Sequence, residues 1–503
     1  MALDLTPLLC GITTGVGGLL NGVGDAVGSL ALRHVGLPPP VSDAHLVSRR
    51  ELHESHLRVK YARGFEHEHA VRAEHQALVK RLGPGASTDL QNNGRDAWYG
   101  VTYTLGTPPQ SFLGDIDTGS DLTWVAGAAC VEPECALPGA RFDPAQSSSY
   151  VDTARPFTLS YGSGNVGVSG NYANETVNIA GLDAANYPFG LVTNSSGPQG
   201  GIPSIFGLSF PYIGKSGVQT TVPFWDLLTD PVQDQVFSVH LGRKTSGAID
   251  STGNTATDPK GGLISFGGYH AELAASDIEW LPANETNFFW QTWIKGFTVN
   301  GVELPVSESP NDAVIDTGAG AWYAPKPVVD AYYANIEGAV RYSGQFFLPC
   351  TSRPNVTLRF GEVEYEVYPP DQISVGRARC LGFLQYASTV SDAYSYLIGD
   401  VFLKNVYSLY RWGPTRQIGF AKLNDCANKP VDPEILASLD GRSTLPIPQS
   451  TTAAPTTTAS GESSTDGPTT AEPTAEPTTS GPVPTARRRH LPRRGSYVTY
   501  DKE

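Results

Sequence analysis

The feature that most constrains this chain is an internal repeat. Ile116-Asp117-Thr118-Gly119-Ser120 returns 199 residues later as Ile315-Asp316-Thr317-Gly318-Ala319. Each copy is followed by two apolar residues and a glycine. Ile205-Phe206-Gly207 lies 90 residues after Asp117, and Leu397-Ile398-Gly399 lies 83 after Asp316. A lone Asp-Thr-Gly is an ordinary turn sequence. Two copies at this spacing, each in an apolar strand context, imply two lobes of similar size about a pseudo-twofold axis, with both carboxylates on that axis.

Two carboxylates held close together cannot both ionise, so one keeps a proton. The ionised member can act as general base on a shared water, and the protonated member can donate to a substrate carbonyl oxygen. Asp117 and Asp316 are therefore the candidate catalytic pair. Thr118, Gly119, Thr317 and Gly318 shape it, because a glycine at this point lets backbone N–H groups come up to the carboxylates. Chemistry of this kind needs no metal, no cofactor and no covalent intermediate.

From Trp98 onward the chain reads as short β runs separated by turns, with WYGVTYTLG, FTLSYGSG, ETVNIAGL, VFSVHLG, GLISFGG, VTLRFGEVEYEVY and YSLYR as examples. Several alternate apolar and polar residues, as half-buried strands do. A helical segment is expected around 326–337. The fold class is all-β. Of 503 residues, 35 are Lys or Arg and 50 are Asp or Glu, giving a net charge of −15. Residues 82–428 account for that excess, with 18 basic against 33 acidic side chains. So acidic a body lacks the basic face a nucleic-acid binder needs.

The ends differ from the body. Residues 1–32 are apolar and glycine-rich, but Asp4 and Asp25 interrupt them and no basic residue precedes them, so they read as a weak leader or a misplaced chain start. Residues 33–81 read as a polar helical segment holding seven of the ten histidines and ending at Lys80-Arg81, a candidate processing site. Residues 443–485 carry 27 Ser, Thr or Pro in 43 positions, a composition that cannot bury a core and suits an extended, O-glycosylated stalk. The expected division is a leader-like segment at 1–32, a prosegment at 33–81, an N-terminal lobe at 82–275, a C-terminal lobe at 276–428, a stalk at 429–486 and a basic polar tail at 487–503. No apolar tail completes a GPI signal, and no uninterrupted apolar run reaches the length of a transmembrane helix.

Six cysteines are too few for a disulfide scaffold. The spacing suggests two local bridges, Cys130–Cys135 and Cys350–Cys380, formed in an oxidising compartment. Cys10 and Cys426 stand alone. Asn-x-Ser/Thr sequons at Asn174, Asn194, Asn284 and Asn355 point the same way, to a secretory route and a secreted or surface protein.

Over about residues 97–424 the chain resembles the pepsin-like aspartic proteases. WYGVTYTLGTPPQSF looks like the family's first strands. Trp124 stands seven residues after Asp117, Cys130–Cys135 matches the short disulfide loop, and FDPAQSSSY follows it. Leu159-Ser160-Tyr161-Gly162-Ser163-Gly164 is similar to the flap, with Tyr161 as its tyrosine. Tyr396-Leu397-Ile398-Gly399-Asp400-Val401-Phe402-Leu403 is similar to the last signature, and Cys350–Cys380 to the C-lobe disulfide. The resemblance implies two β lobes around a deep cleft that holds an extended peptide, a flap closing over it, and Trp124 and Tyr161 hydrogen-bonded to each other and ordering the water. It implies an endopeptidase working at acidic pH as a monomer, made as a zymogen whose front segment pairs with the acidic cleft until its histidines gain charge. A catalytically silent pepsin-fold binding or inhibitor protein is the alternative. The retained Asp117, Asp316 and Tyr161 weigh against it, and against a structural stalk protein.

Two positions depart from the family. Ala319 stands where a hydroxyl residue usually follows the second Asp-Thr-Gly, so Asp316 lacks the donor that Ser120 offers Asp117. Losing a hydrogen bond to the ionised form raises a carboxyl pKa, which extends activity to less acidic pH. Asp115 stands where relatives usually carry an apolar pocket residue. Residues two apart in a strand face the same way, so Asp115 shares the cleft side with Asp117. It is a candidate selector of Lys or Arg in the substrate, as in the yapsin-like surface proteases of fungi.

Overall fold

The computed structural model describes residues 85–427, apart from short internal stretches, together with the strand Val498–Thr499. The leader-like segment, the prosegment with Lys80-Arg81, the stalk, the rest of the tail, Cys10, Cys426 and residues 162–164 of the flap lie outside the described residues.

Both lobes are built from strands, as the alternation in the sequence implies. In Tyr99–Leu105 the burial follows the side chains: Tyr99, Val101, Tyr103 and Leu105 are buried, while Thr102 faces water. In Val406–Arg411 all six residues are buried, because the strand is central. It pairs with Val236–Leu241 on one side and Gln417–Lys422 on the other. A single 14-stranded sheet thus takes strands from both sides of the 275/276 division. Hairpin turns follow local chemistry. Asn300 and Gly301, both at positive φ (50° and 79°), connect Gly296–Val299 to Val302–Glu303, the Asn-Gly pairing favoured in a two-residue hairpin turn. The helix expected near 326–337 spans Lys326–Ala334 and buries Val328, Val329, Tyr332 and Tyr333.

The pseudo-twofold expectation is met strand for strand. Gln110–Asp117 pairs in parallel with Ser204–Gly207, which pairs antiparallel with Trp124–Ala126, which pairs in parallel with Leu182–Ser196. In the second half Asp312–Ile315 pairs in parallel with Tyr396–Ile398, then antiparallel with Trp322–Ala324, then in parallel with Leu384–Tyr386. Each Asp-Thr-Gly therefore leaves the end of a strand whose neighbour is the apolar-apolar-Gly element of its own lobe.

One continuous apolar core joins the lobes. Phe237 stacks on Tyr410 with ring centroids 4.7 Å apart, and the Trp290 indole N–H donates to the Leu208 carbonyl at 2.7 Å. Cys130–Cys135 and Cys350–Cys380 are both disulfides. The edge of the flap strand Val151–Tyr161 carries Val498–Thr499, with Val498 opposite Tyr161 and Thr499 opposite Ser160. Among the described residues no helix is long and apolar enough to cross a membrane.

Candidate active site

The two Asp-Thr-Gly loops are tied to each other through their threonines. Thr118 Oγ1 donates to the Ile315 carbonyl at 2.8 Å, and Thr317 Oγ1 donates to the Ile116 carbonyl at 2.6 Å. These residues lie in opposite lobes, so the bonds fix one carboxylate-bearing loop against the other.

The glycines are required by close approach. A Cβ on Gly119 would sit 2.7 Å from the Asp316 carboxylate, and one on Gly318 would sit 2.5 Å from that of Asp117. Each carboxylate thus lies against the opposite loop. Each glycine also donates its backbone N–H to its own aspartate, Gly119 to Asp117 Oδ1 at 2.8 Å and Gly318 to Asp316 Oδ1 at 2.9 Å.

The outer oxygens break the symmetry. Ser120 Oγ donates to Asp117 Oδ2 at 2.5 Å. Asp316 Oδ2 is buried without a hydrogen-bond partner, and Ala319 beside it has no hydroxyl to offer. Burial raises the pKa of Asp117, while Ser120 and the Gly119 N–H pull it back. Burial and then the charge of Asp117 hold Asp316 well above the usual carboxylate range. Asp316 is the member that keeps the proton and Asp117 the one that ionises. The pair can therefore present one base and one acid to a molecule lying between them.

The remaining expected residues fall around this centre. The Trp124 indole N–H donates to the Tyr161 hydroxyl at 2.6 Å. Burial, then the Asp117 charge, keeps that hydroxyl protonated far above its ordinary pKa. Asp115 is fully buried on the strand that ends at Asp117; its Oδ1 accepts the Tyr99 N–H at 3.2 Å and its Oδ2 has no partner. Sequons Asn194 and Asn355 are exposed, and Asn174 and Asn284 are half-buried.

Sequence reasoning passed over Asp121, Asp371, Asp400, Arg243 and Lys404. Asp121 Oδ2 accepts from the Tyr212 N–H and the Thr221 hydroxyl, bracing the loop after Ser120. Asp400 directly follows the second apolar-apolar-Gly element, which was the one available signal. Its backbone N–H donates to the Ala319 carbonyl at 2.8 Å.

A two-lobed β fold with one Asp-Thr-Gly from each lobe meeting at a shared carboxylate pair defines a pepsin-like aspartic protease. Residues 98–423 match the family model described as eukaryotic aspartyl protease. The chain belongs to that family. It is 28% identical over 361 residues to "Major aspartyl peptidase 1" of Cryptococcus neoformans var. grubii, covering 67% of this chain and 71% of that relative. It is 29% identical over 337 residues to human gastricsin, covering 65% and 81%. It is 26% identical over 385 residues to pepsin A of Rhinolophus ferrumequinum, covering 75% and 94%.

Proposed function

We propose that this chain hydrolyses internal peptide bonds of extended substrates at acidic pH, with Asp117 and Asp316 as its two acids. Asp117, ionised, takes a proton from a water held between the pair as that water attacks the carbonyl carbon. Asp316, protonated, donates to the carbonyl oxygen, so the tetrahedral intermediate forms with its charge neutralised. On collapse the C–N bond breaks as Asp117 gives its proton to the leaving nitrogen and Asp316 takes one from a hydroxyl of the intermediate, which restores the starting protonation of the pair. Tyr161, held by Trp124, covers the substrate from the flap side. The observation that carries this reading is the placement of Gly119 and Gly318, each against the opposite carboxylate.

The finer parts of the proposal rest on sequence. The leader-like segment, the cysteine pairs and the sequons support passage through the secretory route. The stalk supports display at a cell surface or wall, and the histidine-rich segment ending at Lys80-Arg81 supports a zymogen with its own prosegment as inhibitor. Asp115 supports a yapsin-like preference for Lys or Arg beside the cut, and the protease works as a monomer.

The test is cleavage of a mixed peptide library by the chain acidified from pH 7 to 3, with and without pepstatin and beside Asp316→Asn. Pepstatin-sensitive cleavage that the variant lacks is the expected result. No cleavage after confirmed removal of the front segment overturns the reading in favour of a silent binding fold.

A further inference from the structure

Six carboxylates crowd the region around the pair. Asp96, Asp115, Asp117, Asp316, Asp371 and Asp400 are all buried. Among the described residues, two cations face them. The Arg243 guanidinium clamps Asp371, with Nη2 to Oδ2 at 2.7 Å and Nε to Oδ1 at 3.0 Å. Lys404 Nζ lies 3.3 Å from Asp371 Oδ1 and 3.7 Å from Asp96 Oδ2. Those two cations balance Asp371 and Asp96. Among the described residues no cation is ion-paired with the catalytic pair, Asp115 or Asp400, and of these Asp400 feels the charge of Lys404.

Buried carboxylates without counter-charges do not all ionise together. Asp400 has no hydrogen-bond partner on either oxygen. Asp115 has one backbone donor, the Tyr99 N–H, and a bare Oδ2. The groups whose charge bears on Asp115 are Asp117 and Asp400, both acidic. Those bearing on Asp400 are Lys404, Asp316, Asp96 and Asp117. Asp115 precedes Asp117 by two residues on the same strand face, a separation of about 7 Å along the strand. Its charge state is therefore felt directly by the catalytic pair.

We propose that Asp115 is a positioning residue for the catalytic proton: neutral in acid, it ionises as pH rises, and its charge then holds the shared proton on Asp117 and Asp316. A negative charge nearby raises the affinity of a carboxylate pair for its last proton. Loss of that proton ends activity on the alkaline side. Ionisation of Asp115 therefore moves the alkaline limb upward. It leaves the acid limb alone, because at that end Asp115 carries no charge. Burial as the first cause, then the Asp117 charge, raises the pKa of Asp115 in the sense this requires.

This inference rests on the protease reading above. The experiment is kcat/KM on a fluorogenic peptide from pH 3 to 8 for the wild type, Asp115→Asn and Asp115→Val. Both variants should keep the acid limb and lose activity at the alkaline end about one pH unit or more earlier. Superimposable profiles, or equal displacement of both limbs, overturn it. Infrared titration of the inactive but intact Asp316→Asn chain needs no turnover. A component of the buried neutral-acid carbonyl band should vanish on raising the pH from 4 to 7. That component should be missing from the double variant Asp316→Asn/Asp115→Val, where the buried Asp400 still contributes its own. The same band change in both chains, or no vanishing band when Asp115 is present, overturns the inference, and the second outcome does so even if the variants at 115 fold poorly. A wild type that cleaves nothing counts against the protease reading, while the infrared result decides this one separately.

Discussion

Thr118 and Thr317 exchange hydrogen bonds across the pseudo-twofold axis. The Thr118 N–H donates to Thr317 Oγ1 at 3.1 Å, and the Thr317 N–H donates to Thr118 Oγ1 at 3.0 Å. Each hydroxyl also donates to a carbonyl of the facing lobe, so each accepts one bond and gives one. Thr317→Val leaves the Thr118 N–H and the Ile116 carbonyl buried without partners. It should destabilise the protein by about 1–3 kcal/mol, read as a lower urea midpoint at unchanged slope. Thr317→Ser keeps the hydroxyl and should recover most of the loss. Equal effects of Val and Ser would deny the hydroxyl its role.

Asp117→Asn and Asp316→Asn each remove one proton-transfer partner while nearly preserving shape. Cleavage should fall by roughly 10²- to 10⁴-fold or more, with the circular dichroism spectrum unchanged. A variant that retained wild-type kcat would exclude its carboxylate from the reaction.

The outer oxygens set the working pH. Ser120→Ala removes the donor to Asp117 Oδ2, and Ala319→Ser offers a donor to the bare Asp316 Oδ2. A donor favours the ionised form, so Ala319→Ser should move the pH–activity profile downward and Ser120→Ala should move it upward. One charge-assisted hydrogen bond corresponds to about one pH unit. Shifts of the same sign in both variants would contradict the assignment of the proton to Asp316.

Which parts of this site could be read in sequence follows from the range of the interactions. The Asp-Thr-Gly repeat and the apolar-apolar-Gly elements are local strings, and their lobe-scale spacing carried the symmetry. The asymmetry was equally local, because Ser120 and Ala319 occupy matching positions. Period-two alternation placed Asp115 on the face of Asp117. It could not show that the Tyr99 N–H would take Oδ1, since that depends on how Tyr99–Leu105 registers against Gln110–Asp117. The Arg243–Asp371 clamp joins residues 128 apart in two lobes, and no spacing rule predicts such a pair. The sheet shared by Val236–Leu241 and Val406–Arg411 was hidden for the same reason.

Stability should be greatest in mild acid. Asp115, Asp316 and Asp400 have pKa values raised in the folded state, chiefly by burial. They bind protons more tightly folded than unfolded. Their stabilising contribution is therefore complete below the ordinary carboxylate range and is lost as pH rises through their folded values. Asp371 works the other way: burial alone would raise it, but Lys404 and Arg243 hold it below the ordinary value. Its contribution is present above that range and fades as pH falls through its folded value. Urea midpoints should peak at about pH 4–5 and decline towards pH 7. Asp316→Asn, which has no proton to lose there, should show a shallower decline. Stability that climbed steadily to pH 7 would mean these buried acids ionise at no cost.

Substrate preference should itself depend on pH. Lys and Arg side chains are charged throughout the working range, whereas on the proposal above Asp115 goes from neutral to ionised as pH rises across it. A neutral carboxyl gives a basic side chain beside the cut no advantage, so cut sites at pH 3–4 should be flanked by large apolar residues. If an ionised Asp115, two residues before Asp117, selects for a cation in the substrate, the share of cuts beside Lys or Arg should rise by roughly tenfold between pH 4 and 6.5. Library profiling at several pH values reads this directly. Asp115→Asn should keep the acid-end pattern at every pH, because it removes the charge and little else. A rise that survives in Asp115→Asn would assign the preference to another acidic group of the cleft. A share that stays flat in the wild type would remove Asp115 from substrate selection while leaving its effect on the alkaline limb to be judged by kcat/KM.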